Sequence, residues 1–138
     1  MPTSADLLLD TSAALALLHD MNPAHERVRE LTRDLALGLA GHAAFETYSV
    51  LARLPGTARV TSERAHQIID RSFPSSAPLP PAPALLAVAI FAEAGIAGGA
   101  VYDGLVGLAA REAGIPLLTC DRRAMGTYAA LKVDVRVA

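Results

Sequence analysis

The apolar positions of this chain fall into short blocks that switch between two spacings. The block "DLLL" at 6–9 is an apolar run too short for a helix and suited to a strand covered on both faces. "TSAALALL" after it predicts a helix with Thr11 or Ser12 as N-cap. "NPAHERVRELTRD" predicts a second helix, in which Asn22 is the cap, Pro23 fits the first turn, and Val28 with Leu31 marks the inward stripe. A buried strand over 35–41 and a helix over 42–54 come next, the helix running without proline until Pro55, and a further capped helix forms around "TSERAHQIIDRSF". Five of the nine prolines then fall between Pro74 and Pro83, which excludes a helix interior and leaves room for a strand of a few residues near Leu79. Helices over 84–94 and 103–113, separated by "GIAGG", lead into a strand over 116–119, a short helical turn after Asp121 and the closing strand "VDVRV". This alternation predicts an α/β fold of three layers, with a central, mostly parallel sheet flanked by helices, over 1–138 as one domain without linker or repeat.

Composition narrows the function classes. With 138 residues, 52% of them hydrophobic, the chain can bury the core of one domain. A net charge of -2, from 12 basic and 14 acidic side chains, creates no global field for a nucleic acid or an anionic membrane, so a polyanion would have to meet a local patch or a metal. Cys120 is the only cysteine, which excludes an intrachain disulfide framework and a thiolate metal cluster. The start, "MPTSADLLLD", has no basic stretch followed by a leader-like apolar run, and no apolar segment reaches the length of a bilayer span; the expectation is a cytoplasmic protein without membrane contact. His19, His25, His42 and His66 show no metal-binding spacing and read as surface or capping residues, while Cys120, Met125 and Tyr128 read as packing.

Four acids change the picture. Asp10 and Asp121 each directly follow a predicted strand, Asp103 heads a predicted helix, and Glu46 sits in the first turns of the helix after the second strand. In a parallel α/β sheet the ligand crevice lies outside the carboxyl ends of the strands, so all four can meet at one rim. Taken singly, Asp103 and Asp121 read first as helix caps and Glu46 as a solvated side chain. Together in a partly dry cleft they would repel one another and raise one another's pKa, which costs stability unless cations sit among them. Oxygen ligands without a cysteine or histidine cluster suit Mg²⁺ or Mn²⁺ rather than zinc, and such a site suits phosphodiester hydrolysis. Two rival chemistries fit less well. A haloacid-dehalogenase-like phosphatase wants a second acid where Ser12 stands, and Lys132 is the only lysine; a nucleotide switch wants a Gly-rich loop with GK[ST].

The stretches "LLLDTSAALALL", "AAFETYSVLARLP" and "VYDGLVGLAAREAGIPLLTCDRRA", in that order and closed by a short strand, resemble the PIN-domain ribonuclease toxins of the VapC type, the toxin half of bacterial type II toxin-antitoxin pairs. The resemblance spans essentially the whole chain. It implies that Asp10, Glu46, Asp103 and Asp121 are the catalytic, metal-holding acids and that the hydroxyls of Thr11, Ser12 and Thr119 orient carboxylates or water. It further implies an endoribonuclease dependent on Mg²⁺, with Mn²⁺ as a possible substitute, that slows growth by attacking translation. A homodimer and a cognate antitoxin, whose C-terminal segment wraps the toxin and obstructs the crevice, are also implied. Candidate RNA contacts are Arg53, Arg59, Arg64 and Arg71, with Arg122 and Arg123 beside a proposed ligand. Tyr48, Leu51, Ile68, Ile69 and Phe73 exceed what one small core would use, which points to some of them in the dimer contact. The alternative on the same fold is a protein-interaction module that has lost turnover.

Overall fold

The computed structural model describes residues 4–138. Met1–Thr3, the start of the segment read for a leader, lie outside the described residues. In chain order the elements are β1 (Leu7–Leu9), α1 (Thr11–Leu18), α2 (His25–Thr32), β2 (Leu37–Leu39), α3 (Ala43–Leu51), α4 (Ser62–Ser72), α5 (Pro81–Ala94), α6 (Ala100–Ala113), β3 (Leu117–Thr119), α7 (Met125–Ala130) and β4 (Val135–Val137). Short 3₁₀ turns occur at Gly56–Ala58 and Arg122–Ala124.

The sheet is parallel throughout, in the order β2-β1-β3-β4, with Leu8 opposite Gly38 on one side and Leu117 on the other. Three leucines in succession make a workable β1 because helices cover both faces, leaving Leu7, Leu8 and Leu9 buried. From β1 the chain winds one way to β2 and the other way to β3. The sheet therefore has its topological switch point at the carboxyl ends of β1 and β3, where loops diverge and leave a crevice. Leu39, Leu117, Leu118, Val28, Val106 and Tyr128 complete the main core; a smaller cluster of Phe91, Ile96, Leu108 and Leu131 seats α5 on α6.

Several local expectations are corrected. Asp10, not Thr11 or Ser12, is the N-cap of α1, because the last extended residue is the one whose side chain can accept from the third helical amide. Asn22 caps a turn by accepting from Ala24 N at 2.9 Å, and α2 begins only at His25, so Pro23 lies ahead of the helix. The proline-rich stretch holds no strand near Leu79. Ser75 N and Ala77 N each donate to the β2 edge, at Leu37 O and Leu39 O, both at 3.0 Å, and Ala77 forms a lone parallel bridge with Ala40. Close approach there requires Gly38, since a β-carbon at that position would run into the Ser75 carbonyl. Pro81 opens α5 at its first position, where a missing amide costs nothing, so the helix starts three residues earlier than the 84–94 expected. The helix expected over 103–113 starts at Ala100.

The dimer surplus is also redistributed. Leu51 and Phe73 are buried within this one chain, and Ile68 and Ile69 are half-buried. Of the five residues expected in surplus only Tyr48 is exposed; the other exposed large apolar side chains among the described residues are Leu85 (87% exposed), Leu86 and Val88 on α5, Phe45 on α3, Tyr102 on α6, and Met21 and Leu35 in loops. Among the described residues no helix is long and apolar enough to cross a membrane.

Candidate active site

Asp10 stands directly after β1 in extended conformation and is 4% exposed. Its Oδ1 accepts from Ala13 N at 3.0 Å and from Ser12 Oγ at 2.6 Å, while Oδ2 accepts from Tyr128 Oη at 2.9 Å. Ser12 Oγ in turn accepts from Cys120 N at 2.9 Å and lies 3.3 Å from Thr119 Oγ1. A hydroxyl carries one hydrogen, and that of Ser12 is committed to Asp10, so Thr119 donates in the Ser12 contact. Thr119 Oγ1 then accepts from Asp121 N at 3.0 Å. The chain of bonds Asp121–Thr119–Ser12–Asp10 ties the end of β3 to the end of β1. Asp121 caps the turn after β3, its Oδ1 accepting from Arg123 N at 3.0 Å.

The other two acids come from helices. Glu46 and Asp103 each occupy the fourth position of their helix, α3 and α6, where the positive end of the helix dipole favours negative charge. Among the described residues neither carboxylate has a hydrogen bond comparable to those on Asp10. His42 Nε2 lies 3.5 Å from Glu46 Oε1, and the His42 ring stacks on Tyr102 with centroids 5.2 Å apart, so the starts of α3 and α6 touch through this ring pair.

Asp10, Glu46, Asp103 and Asp121 line one crevice of about 240 Å³, together with Thr11, Ser12, Leu15 and Val106. Roomier concavities exist elsewhere, but their walls are apolar or carry no such cluster, so chemistry rather than size singles this one out. The crevice has a clear electrostatic signature. The Asp103 carboxyl is pushed up to about 6, first by burial and then by the charges of Asp121, Asp10 and Glu46, with Arg123 opposing. The Tyr128 phenol is pushed upward by burial, by the Asp10 charge and by its bond to Asp10, so it remains a donor; burial and Asp10 push the Cys120 thiol up as well.

The donor set suits a hard cation. All four charged groups offer oxygen, and Thr11 Oγ1 is buried at the crevice with no hydrogen-bond partner among the described residues, a hydroxyl suited to meeting water around an ion. As the side chains stand, no three of the described carboxylate, imidazole or thiol groups converge tightly enough to form a ready-made cage. Mutual repulsion keeps such carboxylates apart in the absence of a cation, and Mg²⁺ keeps several waters, so few direct protein ligands suffice.

The arginines divide. Arg123 is at the rim, with Nε 3.5 Å from Asp121 Oδ1, and Arg122 is exposed beside it. Arg53, Arg59, Arg64 and Arg71 are all exposed around α3 and α4, and none lines the crevice. Arg59 bonds the Leu54 carbonyl and Arg64 the Gln67 side chain. Two residues at the site were read otherwise from the sequence. Tyr128, taken as packing, touches Asp10 across 118 positions; the usable signal was that a buried tyrosine hydroxyl needs a partner and the strand ends supply the polar groups. His42, taken as a surface or capping residue, stands four positions before Glu46 on one helical face, a spacing visible in the sequence.

Comparison with known proteins follows the same lines. The PIN domain family profile matches residues 7–130. The chain is 39% identical over 132 residues to Ribonuclease VapC27 of Mycobacterium tuberculosis, covering 96% of each chain. In three dimensions it is similar to FitAB in its structure bound to an IR36 DNA fragment, with a TM-score of 0.71, 24% identity and coverage of 95% of this chain and 94% of that one. It is also similar to FitAcB from Neisseria gonorrhoeae, with a TM-score of 0.69, 22% identity and coverage of 94% and 95%. At these identities the two structures speak for the fold alone.

Proposed function

The chain belongs to the VapC ribonucleases of the PIN-domain family, and on that premise we propose that it is a metal-dependent endoribonuclease, the toxin of a toxin-antitoxin pair, with its active site in the four-carboxylate crevice. The observation that carries this reading is the convergence of Asp10, Glu46, Asp103 and Asp121 on one crevice, with the proton affinity of Asp103 raised in part by the other three. Those four residues would hold Mg²⁺, or Mn²⁺ in its place. When bound, the ion supplies activation of water and neutralisation of charge developing on the phosphate.

The chain's own residues do the positioning. Ser12 and Thr119 tie the ends of β1 and β3 together, so Asp10 and Asp121 line the same crevice. Leu15 and Val106 give it an apolar wall, which excludes water from one side and strengthens charge interactions within. Arg123, and Arg122 next to it, lie where a phosphate entering the crevice would pass; Arg53, Arg59, Arg64 and Arg71 would meet more distant parts of the RNA.

The partners belong to the same reading. A groove of about 430 Å³ between α1, α3 and α4, lined by Leu15, Leu18, Val50, Leu51, Leu54 and Ile68, shares Leu15 with the acidic crevice. An antitoxin segment lying in that groove would reach the crevice rim. A second copy of the chain would cover the exposed Leu85, Leu86 and Val88 of α5. A cytoplasmic site of action follows from an RNA substrate.

The test is to sequence RNA 5′ ends after brief induction of the wild type and of Asp10→Asn in the same cells. Ends unique to the wild type are expected and identify the target. Indistinguishable ends from both would sink the proposal.

A further inference from the structure

We propose that Tyr128 is a positioning residue of this active site: its buried hydroxyl fixes the orientation of Asp10 and leaves one lone pair, on Oδ2, as the only ligating position that Asp10 presents to a cation. The inference rests on the reading of the crevice as a metal site and adds a residue to it.

A carboxylate offers about four lone-pair sites, two on each oxygen. On Asp10, both sites of Oδ1 are taken, by Ala13 N and by Ser12 Oγ, and one site of Oδ2 is taken by Tyr128 Oη. One remains. Asp10 is therefore a single-oxygen ligand, and the direction of its free lone pair is set by where Tyr128 stands. With the covalent bond to Cβ, the two bonds at Oδ1 define the carboxylate plane, and the bond at Oδ2 adds a further restraint on the oxygen that keeps the free lone pair.

Tyr128 is itself held firmly enough to serve as a reference point. It is completely buried on α7, and its ring lies so close over α6 that a β-carbon at Gly107 would come within 2.9 Å of Tyr128 Cδ1. Its carbonyl accepts from Val133 N at 3.0 Å, so the helix end that carries it is tied to the segment entering β4. Donors placed behind a metal-ligating group characteristically fix its orientation, and losing one costs about 10- to 100-fold in metal affinity or activity. A purely structural tyrosine would also bond some acceptor when buried, so the experiment must separate the two roles.

Tyr128→Phe removes the hydroxyl and keeps the ring. For wild type, Tyr128→Phe and Asp10→Asn, melting temperature is followed from EDTA through a titration with Mn²⁺ alone, and RNA cleavage is measured across the same range. A positioning role predicts that Tyr128→Phe melts cooperatively in EDTA, that its Mn²⁺ midpoint for stabilisation rises about tenfold, and that cleavage recovers substantially at saturating Mn²⁺. A lower melt in EDTA with an unchanged Mn²⁺ midpoint would mean a structural role and overturn the proposal. Loss of a cooperative melt would overturn it as well, because a hydroxyl that only orients Asp10 is not needed to fold. The third protein separates the two readings. If Asp10→Asn responds to Mn²⁺ as wild type does, the metal site itself is misassigned; if Asp10→Asn loses the response and Tyr128→Phe keeps the wild-type midpoint, only the role of Tyr128 falls.

Discussion

The two halves of the acidic crevice are built differently. Asp10 and Asp121 project from strand ends and sit in a continuous hydrogen-bond network through Ser12, Thr119 and Tyr128, whereas Glu46 and Asp103 project from the first turns of α3 and α6. The helical pair is held mainly by helix-end electrostatics and by the backbone. Burial sets Asp10 apart from the rest: it is almost wholly buried, while the Asp121 and Glu46 side chains are 32% and 37% exposed. A strand end in a parallel sheet is fixed by neighbours on both sides, so it can give a ligand a defined direction. A helix start can give charge and approximate place. We read the strand-end half as the rigid reference of the site and the helical half as the part that adjusts to a cation and a phosphate.

The largest effect expected from this contrast is at Asp10. Asp10→Asn keeps size and the capping acceptor while removing charge, so cleavage should fall at least a hundredfold while the melt in EDTA stays at or above that of wild type, since repulsion within the crevice is relieved. Asp10→Ala should lose cleavage equally and also lose about 0.5–2 kcal/mol of stability, because it removes the cap on α1. Calorimetry in EDTA beside a cleavage assay in millimolar Mg²⁺ checks both. Near wild-type, metal-stimulated cleavage by Asp10→Asn would remove the rigid half from the chemistry.

A smaller effect concerns pH and the helical half. The Asp103 carboxyl in the folded chain stands at about 6 against an ordinary value of 3.8. A group whose folded pKa is raised stabilises the fold fully below its unfolded value and loses that contribution as pH rises through its folded value. Metal-free protein should therefore lose stability between about pH 4 and pH 7 on this account, by something of the order of 1 kcal/mol once solvent screening of a half-exposed group is allowed for. Asp103→Asn should flatten that slope. Proton and cation compete for the same oxygens, so the Mn²⁺ midpoint of wild type should improve as pH rises through about 6. A metal-free melt that rises over this interval in wild type and not in Asp103→Asn would contradict the sign.

What could be read in the sequence follows the same division. The alternation of apolar blocks was enough for a parallel three-layer α/β fold, and the four acids were legible because each stands at a joint between elements, where a packed domain has least reason to keep a carboxylate. Their common crevice is a consequence of the order β2-β1-β3-β4, which alternation implies only in outline. Details that depend on which side chain reaches which amide were not legible. Thr11 and Ser12 looked like the natural caps of α1, yet Asp10 takes that position, Ser12 bridges to β3, and the Thr11 hydroxyl is left free at the crevice. Leu51 and Phe73 looked like surplus for a dimer because amphipathic stripes do not reveal how far α4 folds back over α3. Tyr128 is legible only in part: a buried tyrosine hydroxyl needs a partner, but that the partner is Asp10, 118 positions away, emerges only from the fold.

The smallest effect expected is at His42, the orienting neighbour on the helical side. Its Nε2 is 3.5 Å from Glu46 Oε1, both side chains are partly exposed, and the ring also stacks on Tyr102. Partly solvated contacts of this kind contribute about 0.2–1 kcal/mol, because water competes for both partners. His42→Ala should therefore shift the Mn²⁺ midpoint by about threefold or less and leave the melt in EDTA within about 1 kcal/mol of wild type. Tyr128→Phe, which removes one buried bond from the opposite half, should move the same midpoint about tenfold. The ratio between the two variants carries the argument, since both lose a neighbour of one acid and differ in how firmly that acid is otherwise held. If His42→Ala costs as much as Tyr128→Phe in the Mn²⁺ titration, Glu46 is as strictly oriented as Asp10, and a rigid half beside an adjustable half is the wrong description of this crevice.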